Sequence, residues 1–293
     1  MKKTWNMSEE QVKSLAFQVS AGRSLQPDGW PDGARVAVLL SFDVDAQTWE
    51  LMSGETPSIS ALSQGEFGTR VGLKRIVGLL DEHALPASFF VPAVTLMLRP
   101  EIIDLIQASG RHELGAHGWI HEHATWLSPA EELELMQRTL DLFEKKVGSR
   151  PVGYRAPSYD VSPSTIGILE KLGFLYDSSL MADDRPYEIN EKGRPTGLVE
   201  LPVEWIRDDA TLVDPRGDNY TPPRELLDVF IDEFDKAYEE GTMLLLIMHP
   251  RAIGHRSRIV ILEELISHMK SKGDIWFATH RQAAEYVKER CLK

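Results

Sequence analysis

Val36-Ala37-Val38-Leu39-Leu40-Ser41-Phe42-Asp43-Val44-Asp45 decides how this chain folds. Six of its first seven side chains are apolar, without a polar face. A strand of that kind is covered on both sides, as in a parallel sheet packed under helices. Similar β-prone runs recur at residues 87–91, 152–155, 199–203, 243–248 and 275–278, with shorter ones at 113–116 and 174–176. Between most of them lie stretches of helical period, at 70–82, 101–109, 129–147, 162–172, 224–240, 258–272 and 281–289. Ser128-Pro129 and Ser162-Pro163 read as helix starts, with a capping hydroxyl followed by proline in the first turn. Gly148 and Gly241 follow helical stretches, where a left-handed cap favours glycine. Seven or eight strand–helix units predict an α/β barrel.

In such barrels the chemistry gathers at the C-terminal ends of the strands. Asp43 and Asp45 end the first run, His117 follows the 113–116 run, Arg155 ends the 152–155 run, and His249 follows 243–248. Residues distant in sequence thus occupy equivalent positions, and one mouth gathers them.

No linker or low-complexity tract divides the 293 residues, so a single domain over 1–293 is expected. Residues 1–30 fall outside the alternation; they hold a short helix at 9–20 and are expected outside the barrel or on a neighbouring subunit. The formal net charge of −13 argues against a nucleic-acid backbone or an anionic membrane as partner. The single cysteine, Cys291, allows no intrachain disulfide, which fits a reducing compartment. Lys2 and Lys3 precede no apolar segment of signal-peptide type, and no run is long enough to span a bilayer. A cytoplasmic location is the expectation.

Asp43 and Asp45 stand at i and i+2, on one face of a strand. Two ionised carboxylates that close repel unless a cation sits beside them; aspartate is also common in the turn after a strand. His117 and His121, at i and i+4, face the same way if the segment makes a helical turn. One oxygen and two imidazole nitrogens make a three-ligand set, the usual complement of a catalytic zinc that keeps an open position for water. His112-Glu113-Leu114-Gly115-Ala116-His117 imitates the H-E-x-x-H motif but is one residue too long to put both imidazoles on one helix face. Arg155 can clamp a carboxylate through paired hydrogen bonds. His249, between an apolar run and Pro250, is either a satisfied core residue or a proton donor at the mouth.

Taken together, these residues resemble the NodB-type polysaccharide deacetylases, carbohydrate esterases with a distorted (β/α)7–8 barrel. Phe42-Asp43-Val44-Asp45 is similar to their first motif, His117-Gly118-Trp119-Ile120-His121 to the second, Arg155-Ala156-Pro157-Ser158-Tyr159 to the third, and Leu246-Ile247-Met248-His249 to the fifth. The family's D-x-x-x-W motif has no clear counterpart; residues 200–209 stand where it belongs, so the partner of His249 stays open. The resemblance implies a divalent metal, zinc, on Asp45, His117 and His121, with Asp43 as base, Arg155 holding Asp43, and His249 as proton donor. The two aspartate roles are interchangeable on spacing alone.

The inserted Val44 resembles the intracellular branch, which includes cyclic imide hydrolases, allantoinase-like and peptidoglycan-deacetylase-like proteins. Aromatic residues near the expected mouth, Trp119, Tyr159 and Trp205 among them with Trp49 and Trp126, suit a small substrate. The expected reaction is therefore ring opening of a small cyclic imide or ureide to a half-amide acid. N-deacetylation of an amino sugar or peptidoglycan is the alternative, and a non-catalytic ligand-binding barrel the second. The resemblance further implies a homo-oligomer, a tetramer.

Overall fold

The computed structural model describes residues 4–213 and 220–292. The first three residues of the N-terminal extension lie outside them. Among the described residues ten strands form one sheet: β1 (Val19–Ser24), β2 (Val36–Asp43), β3 (Ser88–Val91), β4 (Glu113–Ala116), β5 (Gly153–Tyr154), β6 (Tyr176–Asp177), β7 (Tyr187–Glu191), β8 (Arg194–Glu200), β9 (Met243–Met248) and β10 (Ile275–Phe277). The parallel path runs β9–β2–β3–β4–β5–β6–β8. It curls but does not close. Between β8 and β9 the described residues show one parallel bridge, Asp208 to Ile247, so the barrel is a curled half-barrel with a seam. The segment after β8 fills that seam, and two acidic residues of the site come from it.

Every residue of β2 is buried, as its unbroken apolar run predicts. Period-two alternation sorts its side chains. Val36, Val38, Leu40 and Phe42 join the core under the helices, whereas Ala37 and Leu39 join the inner core. Asp43 is in phase with the inner set and so turns into the barrel. One edge of β2 pairs with β9 over residues 37–42; the other pairs first with β10 and then with β3. The helix Pro129–Val147 has the expected start, a Ser128–Glu131 capping box with proline behind it, and ends at Gly148 with φ 87°. The helix Pro223–Glu240 ends at Gly241 with φ 70°.

The N-terminal extension departs from expectation. Its helix is shorter, Glu9–Ala16, and the following residues form β1, antiparallel to β7. Gly22 permits this pairing, because a Cβ there would lie 2.7 Å from Glu188 O. Leu25 and Trp30 are buried in the inner core, so residues 19–30 belong to the body of this domain. Among the described residues, no helix is long and apolar enough to cross a membrane.

Candidate active site

Asp43 ends β2, and its Oδ1 accepts a 2.7 Å hydrogen bond from Arg155 Nη1. Arg155 is fully buried, and four further polar contacts hold its guanidinium: Ser41 Oγ, Ser178 O, Ser178 Oγ and His280 Nε2. Its Cζ lies 4.1 Å from the Phe90 ring centroid. Burial works against the guanidinium charge, but the Asp43 carboxylate wins and holds its pKa above the usual value.

Beyond Asp43 the chain leaves the sheet, and Asp45 is fixed through its backbone. Thr48 Oγ1 and Thr95 Oγ1 both donate to Asp45 O, at 2.6 and 2.9 Å. Gly65 of the helix Ile59–Phe67 packs on the next carbonyl; a Cβ there would sit 2.3 Å from Ala46 O. Any larger residue would push that helix off the loop.

His117 follows β4 and rests its Nδ1 on Arg155 O at 2.8 Å. A carbonyl accepts, so Nδ1 carries the proton and Nε2 keeps its lone pair. Nε2 lies 3.6 Å from Asp45 Oδ1, and His121 Nε2 lies 3.8 Å from the same oxygen. No helical turn sets this pair, contrary to the sequence expectation. Gly118 and His121 both have φ 69°, and the Glu122 carboxylate accepts from Trp119 N and Ile120 N. A left-handed loop brings the two imidazoles to a centroid distance of 5.0 Å. His112, the other end of the false motif, lies before β4 against Phe89.

The donor set fits a metal. Both carboxylate oxygens of Asp45 are buried without a hydrogen-bond partner, an arrangement that is costly unless a cation fills the gap. Separations of 3.6 and 3.8 Å are too long for hydrogen bonds, but near the ~3.4 Å between ligand atoms around a tetrahedral zinc. Burial pushes the His121 pKa down to about 3, so its ring is neutral. Burial disfavours the Asp45 carboxylate, yet the histidines around it, the charged His249 among them, hold its pKa below the usual value. A second acidic group, Asp208, Asp209 and His249, is equally close but already satisfied. Asp209 accepts from His249 N, Ile253 N and His249 Nδ1, the last at 2.8 Å. Asp208 accepts from Ala210 N and the Tyr159 hydroxyl. That group has the hydrogen bonds that Asp45 lacks.

With Nδ1 held by Asp209, His249 directs Nε2 at the site, 3.8 Å from Asp45 Oδ2. Burial opposes its charge, but Asp208, Asp209 and Asp45 outweigh burial and raise its pKa to about 10. Burial moves Asp208 the other way, up to about 6, against the pull of His249.

These groups open into a cleft of about 220 Å³. Asp43, His117, His121 and His249 form its floor; Trp49, Tyr159, Trp205, Val213, Arg251 and Arg258 are among the residues that line it. Tyr159 reaches it from two successive left-handed residues, Ser158 and Tyr159, with φ 54° and 55°. Ala46 and His121 share that conformation, and such strain in non-glycine residues clusters where function constrains the backbone. Two expected aromatics do not line the cleft. Trp119 packs under Arg138 with 4.2 Å between Cζ and ring centroid, because Glu122 turns its backbone away. Trp126 is exposed and contacts His123. The sequence reading missed Asp209 as the partner of His249; the adjacent pair Asp208-Asp209, just past an apolar run, was the available signal. It also passed over Arg251, two residues beyond His249, and Arg258.

A family model described as polysaccharide deacetylase matches residues 65–176. A peptidoglycan deacetylase of Helicobacter pylori is 28% identical over 289 residues, covering 88% of this chain and 98% of that protein. A solved structure from Mycobacterium smegmatis, described as a polysaccharide deacetylase, is 34% identical with a TM-score of 0.83, over 92% of this chain and 96% of that one. The structure of an allantoinase is 26% identical with a TM-score of 0.80, over 90% and 94%.

Proposed function

This chain belongs to the polysaccharide deacetylase family, hydrolases of C–N bonds outside peptides, and on that premise we propose that it opens a small cyclic imide or ureide to a half-amide acid. The observation that carries the substrate reading is the cleft. At about 220 Å³ it lies below the roughly 300–1,000 Å³ of sites for drug-sized ligands, and Trp49, Tyr159 and Trp205 wall it. That shape suits a flat ring better than a polymer. The similarity to an allantoinase supports the same reading.

Asp45, His117 and His121 would hold a divalent metal, zinc on the chemistry of one carboxylate and two imidazoles, which when bound would supply Lewis-acid activation of water and of the substrate carbonyl. Asp43 is the base. Its Oδ1 is engaged by Arg155, while Oδ2 faces the site 3.8 Å from His117 Nε2 and takes the proton of the attacking water. The two aspartates divide the work because only Asp45 has both oxygens unpartnered. His249 Nε2 delivers a proton to the departing nitrogen as the C–N bond breaks, with Nδ1 anchored by Asp209. One water is consumed, its hydroxyl passing to carbon and a proton to nitrogen. Tyr159 and Trp205, in edge contact at 4.9 Å, flank the ring.

The similarity to the Helicobacter pylori enzyme favours a second reading, removal of acetyl from an N-acetylated sugar. A zinc-loaded panel separates the two. Succinimide and hydantoin are expected to be opened, and N-acetylglucosamine oligomers to release little acetate. Acetate release without ring opening would reverse the assignment. On the same preparations, His117→Ala is expected to lose the ion in elemental analysis, and Asp43→Asn to keep it while losing most turnover.

A further inference from the structure

Two arginines that line the cleft, Arg251 and Arg258, form no ion pair with a described acid. Arg251 follows the His249-Pro250 turn, with its Cζ 4.7 Å from the Trp49 ring centroid. It is close enough for its charge to act on both Asp45 and His121. Arg258 lies in the first turn of the helix Arg256–Lys272. Its Nη1 donates to Ala252 O at 3.0 Å, while its Nε is buried with no hydrogen-bond partner. Among the described residues neither guanidinium has an ion pair.

The chain is rich in acid, with 45 acidic residues to 32 lysines and arginines, so carboxylate partners are not scarce. Arg23, Arg99, Arg111, Arg150, Arg194 and Arg224 each hold a carboxylate. Three acids at the cleft are engaged elsewhere, Asp43 by Arg155, Asp208 by Tyr159 and His249, and Asp209 by His249, and a fourth, Asp45, is taken up in the proposed metal set. An unpaired guanidinium in a partly desolvated pocket, with a buried donor left open, is matched by an anion from outside. The planar fork of arginine pairs best with a carboxylate.

We propose that the substrate of this cleft carries a carboxylate in addition to its scissile amide, and that Arg258, with Arg251 beside it, binds that group. The proposal rests on the reading of the cleft as a hydrolase active site. It does not depend on whether the amide is in a ring or in an acetyl group. Arg251, whose charge reaches Asp45 and His121, sets the anion on the side of the cleft nearest those residues.

The test compares matched ligands that differ in that group alone. Calorimetry on the zinc-loaded full chain would use hydantoin-5-acetate against hydantoin-5-acetamide, and N-acetylmuramate against its lactyl carboxamide. In at least one pair the carboxylate is expected to bind tenfold tighter or more, as hydrogen bonds to a charged partner are worth about 10- to 100-fold. In Arg258→Gln that ratio is expected to fall towards one, and in Arg258→Lys, which keeps the charge but not the fork, to an intermediate value. Thermal midpoints of both variants establish that they are folded. Equal binding within both pairs, no binding of either carboxylate, or a preference that survives Arg258→Gln would each overturn the proposal. Survival in that variant would mean that the carboxylate binds elsewhere, as on the metal. Turnover of the same pairs separates the two readings. Carboxylate-selective deacetylation of the muramate without ring opening would leave this proposal standing and refute the cyclic-amide assignment.

Discussion

Arg155→Met tests whether the buried clamp on Asp43 is organised as described. Methionine fills part of the volume of arginine but donates nothing. The substitution removes five polar contacts: to Asp43 Oδ1, Ser41 Oγ, Ser178 O, Ser178 Oγ and His280 Nε2. Removing one partner of a buried ion pair costs about 3–5 kcal/mol, because the other charge stays behind unpaired. Here that charge is Asp43, 3% exposed. Ser41 Oγ and Ser178 Oγ still donate to Leu246 O and Leu201 O, so those two hydroxyls lose little. Ser178 O loses its arginine donor, and a newly unsatisfied buried group adds about 1–3 kcal/mol. The total, about 4–8 kcal/mol, is a large part of the roughly 5–15 kcal/mol that holds a domain together. Urea unfolding followed by circular dichroism measures it. The companion variant is Arg155→Met with Asp43→Asn, which removes the stranded charge. If the charge dominates, the double variant is expected to be more stable than Arg155→Met alone by about 2 kcal/mol or more. An Arg155→Met protein within about 1 kcal/mol of the parent, or a double variant no better than the single, would refute the account.

Asp209→Asn keeps the shape of the His249 anchor but removes its charge. Asp209 is one of three carboxylates that raise the His249 pKa to about 10 against burial, so its loss lowers that pKa. A proton donor must be protonated to act, so activity falls as pH rises through its pKa; the alkaline limb of kcat against pH is expected to move to lower pH. An unmoved limb would remove His249 as the acid. Glu200→Gln addresses stability away from the site. Burial raises the Asp177 pKa to about 6 and, with Asp177 beside it, raises that of Glu200 well above the usual carboxylate range. The folded state therefore binds more protons than the unfolded chain above pH ~4, and stability falls as pH rises through the folded values. Urea midpoints between pH 5 and 8 are expected to decline less in Glu200→Gln than in the parent; equal slopes would show that this pair does not carry the dependence.

The catalytic candidates were legible because each ends an apolar run. The sequence has no such signal for Ser178 or His280, which reach Arg155 across 23 and 125 residues, and nothing local pairs Asp209 with His249, 40 residues away. His280 and Ser178 sit inside the barrel only because β6 and β10 are parallel members of this sheet. The aromatic residues were harder still. Trp119 and Trp205 look alike in sequence, yet Glu122 turns the backbone at Trp119 away from the cleft, while Trp205 follows β8 into the seam.

The sequence by itself determined the α/β class and the set of strand ends from which a site could be built. Those follow from local rules, the two-residue period of a strand and the burial of apolar runs. Only the tertiary structure distinguishes the surroundings of Asp43 and Asp45. One carboxylate meets a guanidinium from another strand, and the other is left with two bare oxygens facing imidazoles. Hydrogen-bond partners over a hundred residues away set this difference, and spacing within Asp43-Val44-Asp45 carries no record of them. The open seam is likewise a long-range outcome: β8 and β9 do not pair along their length, and the gap between them admits Asp208 and Asp209 to the site.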